Sequence, residues 1–179
     1  LMLAAALAGC DSDSDSDSPF APAQLRVLHA SPDAPAVNVL AGGTTIVPNL
    51  DYGQSSNLLE VTPGRVSLRV DAQLPAGATT TVIGPVDVDL ASGTQYSVLA
   101  VGRVAGIEPL VFSQPSAPAP TGRTNVRVVH AAPAAPRVDV YLTSPDASLA
   151  TSSPVGTVSF KQAIGPAEVP AGTWRVRVT

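Results

Sequence analysis

The sequence predicts an all-β protein made of tandem antiparallel immunoglobulin-like β-sandwich domains, the second of them truncated at its C-terminus. The chain has 14 Gly and 18 Pro among 179 residues, and both residue types interrupt helices. Charged residues make up only 13%, about half of the share that is usual in globular proteins. Short segments in which apolar and polar residues alternate, separated by turn residues, indicate strands.

The first ten residues predict export and lipid anchoring. Residues 1–8 form an apolar run, far shorter than the roughly 20 residues that span a bilayer, and they fit the end of a signal-peptide core. Leu7, Ala8, Gly9 and Cys10 resemble a bacterial lipobox. The resemblance implies cleavage before Cys10, a diacylglycerol group on its sulfur and membrane attachment, with residues 1–9 as an N-terminally incomplete signal peptide. The alternative is an incidental free Cys, but a single Cys without a disulfide partner favours the lipid.

Residues 10–24 are predicted to be the lipidated Cys and a tether. Residues 11–18 read DSDSDSDS, with four like charges that repel and no apolar residue to bury, so we expect an extended spacer. A calcium loop is the alternative, but the tract lacks the Gly and the Glu of an EF-hand loop. Residues 19–179 hold ten acidic and ten basic residues, which leaves no basic field for nucleic acid.

The body of the chain repeats itself. Residues 25–40 read LRVLHASPDAPAVNVL, residues 126–141 read VRVVHAAPAAPRVDVY, and nine positions are identical at an offset of 101. Further on, residues 60–70 match residues 168–178 at an offset of 108, which places seven extra residues in the turn-rich segment 143–154. The repeat predicts a first β-sandwich at 25–112, a Pro-rich linker at 113–125 and a second, incomplete β-sandwich at 126–179.

Alternation with a period of two locates the strands of the first repeat. Val66, Leu68 and Val70 are expected to face inward, and so are Val86, Val88 and Leu90. The predicted strands are residues 25–29, 37–40, 44–47, 65–71, 80–83, 86–90, 95–101 and 108–112. The predicted turns lie at residues 42–43, 63–64, 75–77 and 92–93.

The two motif copies resemble the bacterial family known as domain of unknown function 4397. Members of that family open each domain with a strand, the sequence His-Ala-Ser-Pro-Asp-Ala-Pro and a Val-Asp-Val-Tyr strand. The resemblance covers nearly all of residues 25–179 and implies a secreted or lipid-anchored β-sandwich without an established activity. The sequence departs from the pattern at Asn38 in the first copy and at Ala132 and Ala134 in the second.

The motif turn contains the candidate site residues, which are His29, Ser31, Pro32 and Asp33 in the first copy and His130 and Pro133 in the second. One hypothesis is a metal or acid–base site formed by His29 and Asp33. The other is a buried His whose ring nitrogens hold the turn, with Asp33 accepting backbone N–H groups in an Asx-type turn. The second is favoured, because a zinc site needs more His or Cys than the chain has and Ala134 replaces the carboxylate in copy two. The chain also lacks the nucleophile elbow of a serine hydrolase.

Other polar and aromatic residues are interpreted as structural. Asn38 and Asp139 are expected on the solvent side of their strands. Tyr52 and Phe160, at matching repeat positions, are expected to fill the same slot in the core or at its rim, and Trp174 is expected in the core.

The sequence therefore predicts a non-enzymatic lipoprotein of the bacterial cell envelope, periplasmic or at the cell surface, with an adhesion, binding or spacer role. Its partners would be the membrane, through the lipid on Cys10, and an envelope or extracellular protein or glycan. No cofactor, metal or catalytic residue is predicted. The alternative function is a ligand- or metal-binding, weakly catalytic domain that uses the His-Ala-Ser-Pro-Asp turn.

Overall fold

The computed structural model describes residues 21–179, so the lipobox residues Leu7, Ala8, Gly9 and Cys10 and the Asp/Ser tract lie outside the described residues. The described chain is all-β, which confirms the all-β part of the prediction, and its three helical segments are short 3-10 turns. The strands are β1 (Ala23–His29), β2 (Val37–Ala41), β3 (Thr44–Leu50), β4 (Leu59–Val61), β5 (Gly64–Gln73), β6 (Thr79–Leu90), β7 (Thr94–Val101), β8 (Glu108–Pro115), β9 (Arg123–Val129), β10 (Val138–Thr143), β11 (Gly156–Val158), β12 (Ala163–Pro170) and β13 (Arg175–Val178).

Strands β1–β8, here called the first unit, form two four-stranded sheets. The first sheet has the order β4-β1-β7-β8 and the second has the order β3-β2-β5-β6. All their pairings are antiparallel except that of β1 with β7, which is parallel, from Gln24 opposite Gln95 to His29 opposite Ala100. The predicted antiparallel sandwich therefore contains one parallel pair of strands. The chain between β1 and β7 crosses to the second sheet and returns, so no hairpin forces the two strands to run in opposite directions.

The core of the first unit lies between its two sheets, as alternation predicted. In β1 the buried positions are Ala23, Leu25, Val27 and His29, and Leu28 and Arg26 between them point away from the core. The second sheet contributes alternating positions in the same way, which gives one contiguous apolar cluster. Its buried members are Ala23, Leu25, Val27, Val37, Val39, Val47, Leu50, Val70, Ala72, Ile83, Leu90, Tyr96, Val98 and Ala100.

Strand β6 departs from its predicted pattern. The segments 80–83 and 86–90 were predicted as two strands, but they belong to one strand of 12 residues at the edge of the second sheet. Leu90 is buried as predicted and Val88 is half-buried, whereas Val86 is 42% exposed. Because β6 is at the edge of the second sheet, the facing first sheet does not cover all of its inward-pointing side chains.

Turn residues set the connection between β2 and β3. Gly42 and Gly43 have φ values of +56° and +86°, the left-handed conformations that a two-residue hairpin turn requires. The predicted turn at 42–43 is therefore a tight hairpin between adjacent strands of the second sheet.

Strands β9–β13, here called the second unit, form a two-stranded sheet β12-β9 and a three-stranded sheet β11-β10-β13. β9 pairs with β12 antiparallel, as β1 pairs with β4, and β10 pairs with β11 and β13, as β2 pairs with β3 and β5. Between the units, residues 116–122 connect β8 to β9. This segment is shorter than the predicted linker of 113–125, because Ser113 and Pro115 pair with Tyr96 and Thr94 and because Arg123 pairs with Pro170.

Trp174 does not lie in the core. It precedes β13, it is 39% exposed, and its indole Nε1 donates a hydrogen bond to the Pro170 carbonyl oxygen at 2.9 Å. The expectation from strand parity is wrong because β13 is an edge strand that no facing sheet covers well: Val176 and Val178, at the same parity, are also 50% and 56% exposed.

Leu25→Ala should lower the free energy of unfolding by about 2–5 kcal/mol, because it leaves a cavity at the centre of the core. Val104→Ala removes an exposed side chain and should change that energy by no more than about 0.5 kcal/mol. Urea unfolding followed by circular dichroism measures both variants. Equal midpoints for the two would contradict the placement of Leu25 in the core.

Candidate functional site: the two histidine turns

The first histidine turn, residues 29–35, connects β1 in the first sheet to β2 in the second sheet. His29 is the last residue of β1, and strand alternation turns its ring inward, where it is 1% exposed. Its Nδ1 accepts a hydrogen bond from the Ser31 backbone N–H at 3.3 Å, and its Nε2 lies 3.0 Å from the Pro35 carbonyl oxygen. These contacts assign the neutral tautomer in which Nε2 carries the proton and donates to Pro35. Both ring nitrogens therefore hold the backbone of the turn.

The second histidine turn, residues 130–136, repeats half of this arrangement. His130 is 7% exposed, and its Nε2 lies 2.9 Å from the Pro136 carbonyl oxygen. Its Nδ1 is buried and has no hydrogen-bond partner among residues 21–179. The contact between Nε2 and the carbonyl of the last proline is thus the feature that the two turns share.

A segment that no sequence motif marks as part of a site contacts each His from the side opposite its turn. His29 donates its backbone N–H to the Gln54 carbonyl at 3.0 Å and accepts from the Gly53 N–H at 2.9 Å. His130 forms the same two bonds with Gln162 and Lys161, at 2.9 and 2.8 Å. The equal spacing from an aromatic residue to Gln in both copies was the available signal. We call residues 52–54 and 160–162 the clamp segments.

The aromatic residue of each clamp segment contacts the His ring edge-on. The rings of His29 and Tyr52 are 6.2 Å apart at 84°, and those of His130 and Phe160 are 6.4 Å apart at 73°. Tyr52 is 54% exposed and Phe160 is half-buried. Of the predicted alternatives, core or rim, the structure places both rings at the rim.

Asp33 does not form the expected Asx-type turn. That turn would need the N–H of the residue two positions later, which is Pro35 and has none. The Oδ1 atom of Asp33 instead accepts from the Val104 backbone N–H at 2.8 Å, and its Oδ2 lies 3.7 Å from a guanidinium nitrogen of Arg103. Asp33 therefore connects the first histidine turn to the segment between β7 and β8. Ala134 at the equivalent position cannot form such a contact.

The turn residues do not assemble an activated nucleophile or a cation site in the described part of the chain. Ser31 is fully buried, and its Oγ has no hydrogen-bond partner there, whereas a nucleophilic hydroxyl needs a base within hydrogen-bond reach. Pro32 and Pro133 are placed in their turns and offer no N–H group. Residues 21–179 contain no group of three or more His, Cys, Asp or Glu side chains that could hold a metal ion.

Asn38 and Asp139 form equivalent polar contacts between strands. The Oδ1 of Asn38 accepts from the Asn49 N–H at 2.9 Å, and the Oδ1 of Asp139 accepts from the Thr157 hydroxyl at 2.5 Å. Both residues are half-buried on the outer side of their sheets, where they join neighbouring strands.

The model of a protein family described as domain of unknown function (DUF4397) matches residues 23–141. The chain belongs to the DUF4397 family. The match extends from the first residue of β1 into β10 and includes both histidine turns. Searches among curated proteins and among solved structures found no match to the chain. Within residues 21–179 of this DUF4397 protein, no helix has the length and apolar character that crossing a membrane requires.

In this DUF4397 chain, His29→Leu should destabilise the first unit, because it removes the donor to the Pro35 carbonyl and leaves the buried Ser31 N–H without a partner, at about 1–3 kcal/mol for a buried unsatisfied group. His29→Gln keeps an N–H donor and should cost less. His130→Leu removes a single bond and should also cost less. Urea unfolding measures the three variants, and a wild-type midpoint for His29→Leu would contradict the structural role of the ring.

Asp33→Ala should remove the contact that holds the segment between β7 and β8 against the first histidine turn. The Val104 amide loses its acceptor, so its hydrogen exchange should accelerate, and unfolding should become easier by about 1 kcal/mol. Asp87→Ala is the matched control, since it removes a carboxylate from an exposed ion pair with Arg65 and should cost no more than about 0.5 kcal/mol. Unchanged exchange at Val104 would contradict the assigned contact.

Proposed function

We propose that this chain is a lipid-anchored protein of the bacterial cell envelope whose tandem β-sandwich units have a non-enzymatic adhesion, binding or spacer role. The proposed anchor is a lipid on Cys10, in the lipobox-like sequence Leu7-Ala8-Gly9-Cys10. The acidic tract at 11–18 would then separate the folded units from the membrane surface. Two or more acyl chains give a stable anchor where one is marginal.

One observation carries the non-enzymatic part of the proposal. The ring nitrogens of His29, in the motif that the chain repeats, are both engaged by backbone groups of its own turn. A general base or a metal ligand needs a nitrogen that faces a substrate or an ion. The ring would have to give up a buried backbone contact to do either.

The tandem organisation is supported by the repeat and by strand pairing together. Nine identities at an offset of 101 relate the two histidine turns, and the strands around them pair in the same order in both units. Neighbouring modules of this kind offer loops, sheet edges and the space between units as contact surfaces for an envelope or extracellular protein or glycan.

The alternative function is a ligand- or metal-binding site at the first histidine turn. The observation that favours it is the fully buried Ser31 hydroxyl, which has no hydrogen-bond partner among residues 21–179. The variant His29→Gln separates the two functions. A structural His predicts reduced stability, whereas a ligand site predicts lost binding in a protein that unfolds as the wild type does.

Cys10→Ala tests the anchor. We expect the full chain, expressed behind a complete export signal in a bacterial host, to incorporate an alkyne-tagged fatty acid and to sediment with membranes. The Cys10→Ala variant should be unlabelled and soluble, because it has no sulfur to acylate. Ser14→Ala, in the tether, is the matched control and should behave as the wild type does.

Protease treatment of intact cells then locates the folded units. Digestion of the anchored protein would support the cell surface, and protection would support the periplasm. A Cys10→Ala protein that still sediments with membranes, or a wild type that takes up no label, would contradict lipid anchoring.

A further inference from the structure

A cleft lies between the outer face of the first sheet and strand β9. We call it the interunit cleft. Its volume is about 390 Å³, within the usual size of small-molecule sites. Side chains of β1, β7 and β8 form one side, and side chains of β9 and the residues after it form the other.

Strand register places three polar and aromatic residues of the cleft in one row. Arg26 lies opposite Ser97 in the pairing of β1 with β7, and Ser97 lies opposite Phe112 in the pairing of β7 with β8. Neighbouring strands are about 4.8 Å apart, so Arg26 and Phe112 flank the Ser97 hydroxyl. The guanidinium of Arg127 in β9 lies 5.1 Å from the centre of the Phe112 ring, which brings a second cation to this row.

The next row of the same face is apolar. Leu28 lies opposite Leu99, and both line the interunit cleft beside the polar row. Leu99 is only 6% exposed although it is on the outer face of its sheet. The cleft therefore has a cationic, hydroxyl-bearing part and an apolar part next to each other.

The two arginines of the cleft have no acidic partner among residues 21–179. The ion pairs of that part of the chain use other cations, and no acidic side chain lines the cleft there. The Nε atom of Arg127 is buried and lacks a hydrogen-bond acceptor in the same residues, although one of its terminal nitrogens donates to the Ser113 carbonyl. Two cations beside a low-dielectric wall, without a counter-charge in the lining, favour an anion.

We propose that the interunit cleft binds a small organic carboxylate with an apolar body. The carboxylate accepts hydrogen bonds from the Arg26 guanidinium and the Ser97 hydroxyl, near the positive charge of Arg127, and the body packs on Leu28 and Leu99. A bare inorganic anion would leave the apolar row unused, and a neutral apolar molecule would leave the arginines without a counter-charge. This site rests on the proposed role as a binding module and specifies the ligand class, but it is independent of the lipid on Cys10.

Benzoate is the probe, because it combines a carboxylate with a flat apolar body. We expect it to shift the backbone amide resonances of Ser97 and the Arg26 side-chain N–H resonance of the full chain carrying Cys10→Ala, with a Kd in roughly the millimolar range for so small a ligand. Benzamide has the same shape without the charge, and acetate has the charge without the body. The affinity of each for the cleft should be at least about tenfold lower than that of benzoate, since each loses one of the two contacts.

Arg26→Gln is the decisive variant, because Arg26 is exposed and takes part in no ion pair among the described residues. It should weaken benzoate binding about tenfold or more. Arg65→Gln removes another exposed arginine, from the second sheet, and should leave binding unchanged. Ser97→Ala should weaken binding less than Arg26→Gln does.

Three results would overturn the proposal. They are equal binding of benzoate and benzamide, benzoate binding that Arg26→Gln leaves unchanged, and the absence of saturable shifts below about 50 mM benzoate, a limit set by the affinity that so few atoms can supply. None of these results bears on fatty-acid labelling at Cys10. Failure of the cleft and failure of the lipid anchor can therefore be told apart.

Discussion

The hydrogen bond between the buried His ring and the carbonyl of the last proline in its turn is the contact on which the arrangement of the strands depends. The first histidine turn takes the chain from one sheet to the other, so its shape sets where β2 enters the second layer relative to β1. Pro32 and Pro35 remove two N–H groups that a turn would otherwise use. The His29 ring compensates from inside the core, since it bonds to Pro35 and to Ser31 while its backbone holds the clamp segment. A buried imidazole with both nitrogens bonded avoids the penalty of an unsatisfied polar group.

The second unit shows which parts of this arrangement are separable. Ala132 and Ala134 replace Ser31 and Asp33, yet the contact from the His130 ring to the Pro136 carbonyl is kept. The clamp contacts are kept as well, even though Lys161 occupies the left-handed backbone position that Gly53 holds in the first unit. The Asp33 contact with Val104 is thus specific to the first unit, in which the segment between β7 and β8 supplies the N–H donor.

The alternation of apolar and polar residues predicted those strands whose inward side chains are buried against the facing sheet. Strands β1, β2, β5 and β7 were recognisable because their alternating side chains are buried against a facing sheet. The burial of Val86 and Trp174 was mispredicted, because Val86 lies in an edge strand and Trp174 directly precedes one, and how far a sheet edge is covered depends on distant residues. The partner of Asp33 lies 71 positions away, and the row of Arg26, Ser97 and Phe112 exists only through the register of three strands. Spacing along one segment carries no signal for either.

The outer face of the first sheet has a different environment in the full chain from the one it would have in an isolated first unit. Leu28 and Leu99 point away from the core, and an isolated unit would present them to water. In the full chain the second unit lies against this face, with Arg127 over Phe112 and Lys161 paired with Glu108 at 2.6 Å. Both contacts are partly exposed, so each contributes only about 1 kcal/mol or less to this orientation of the units. The interunit cleft is a consequence of that packing: it needs Arg26 from one unit and Arg127 from the other, so a single unit would contain only half of its positive charge.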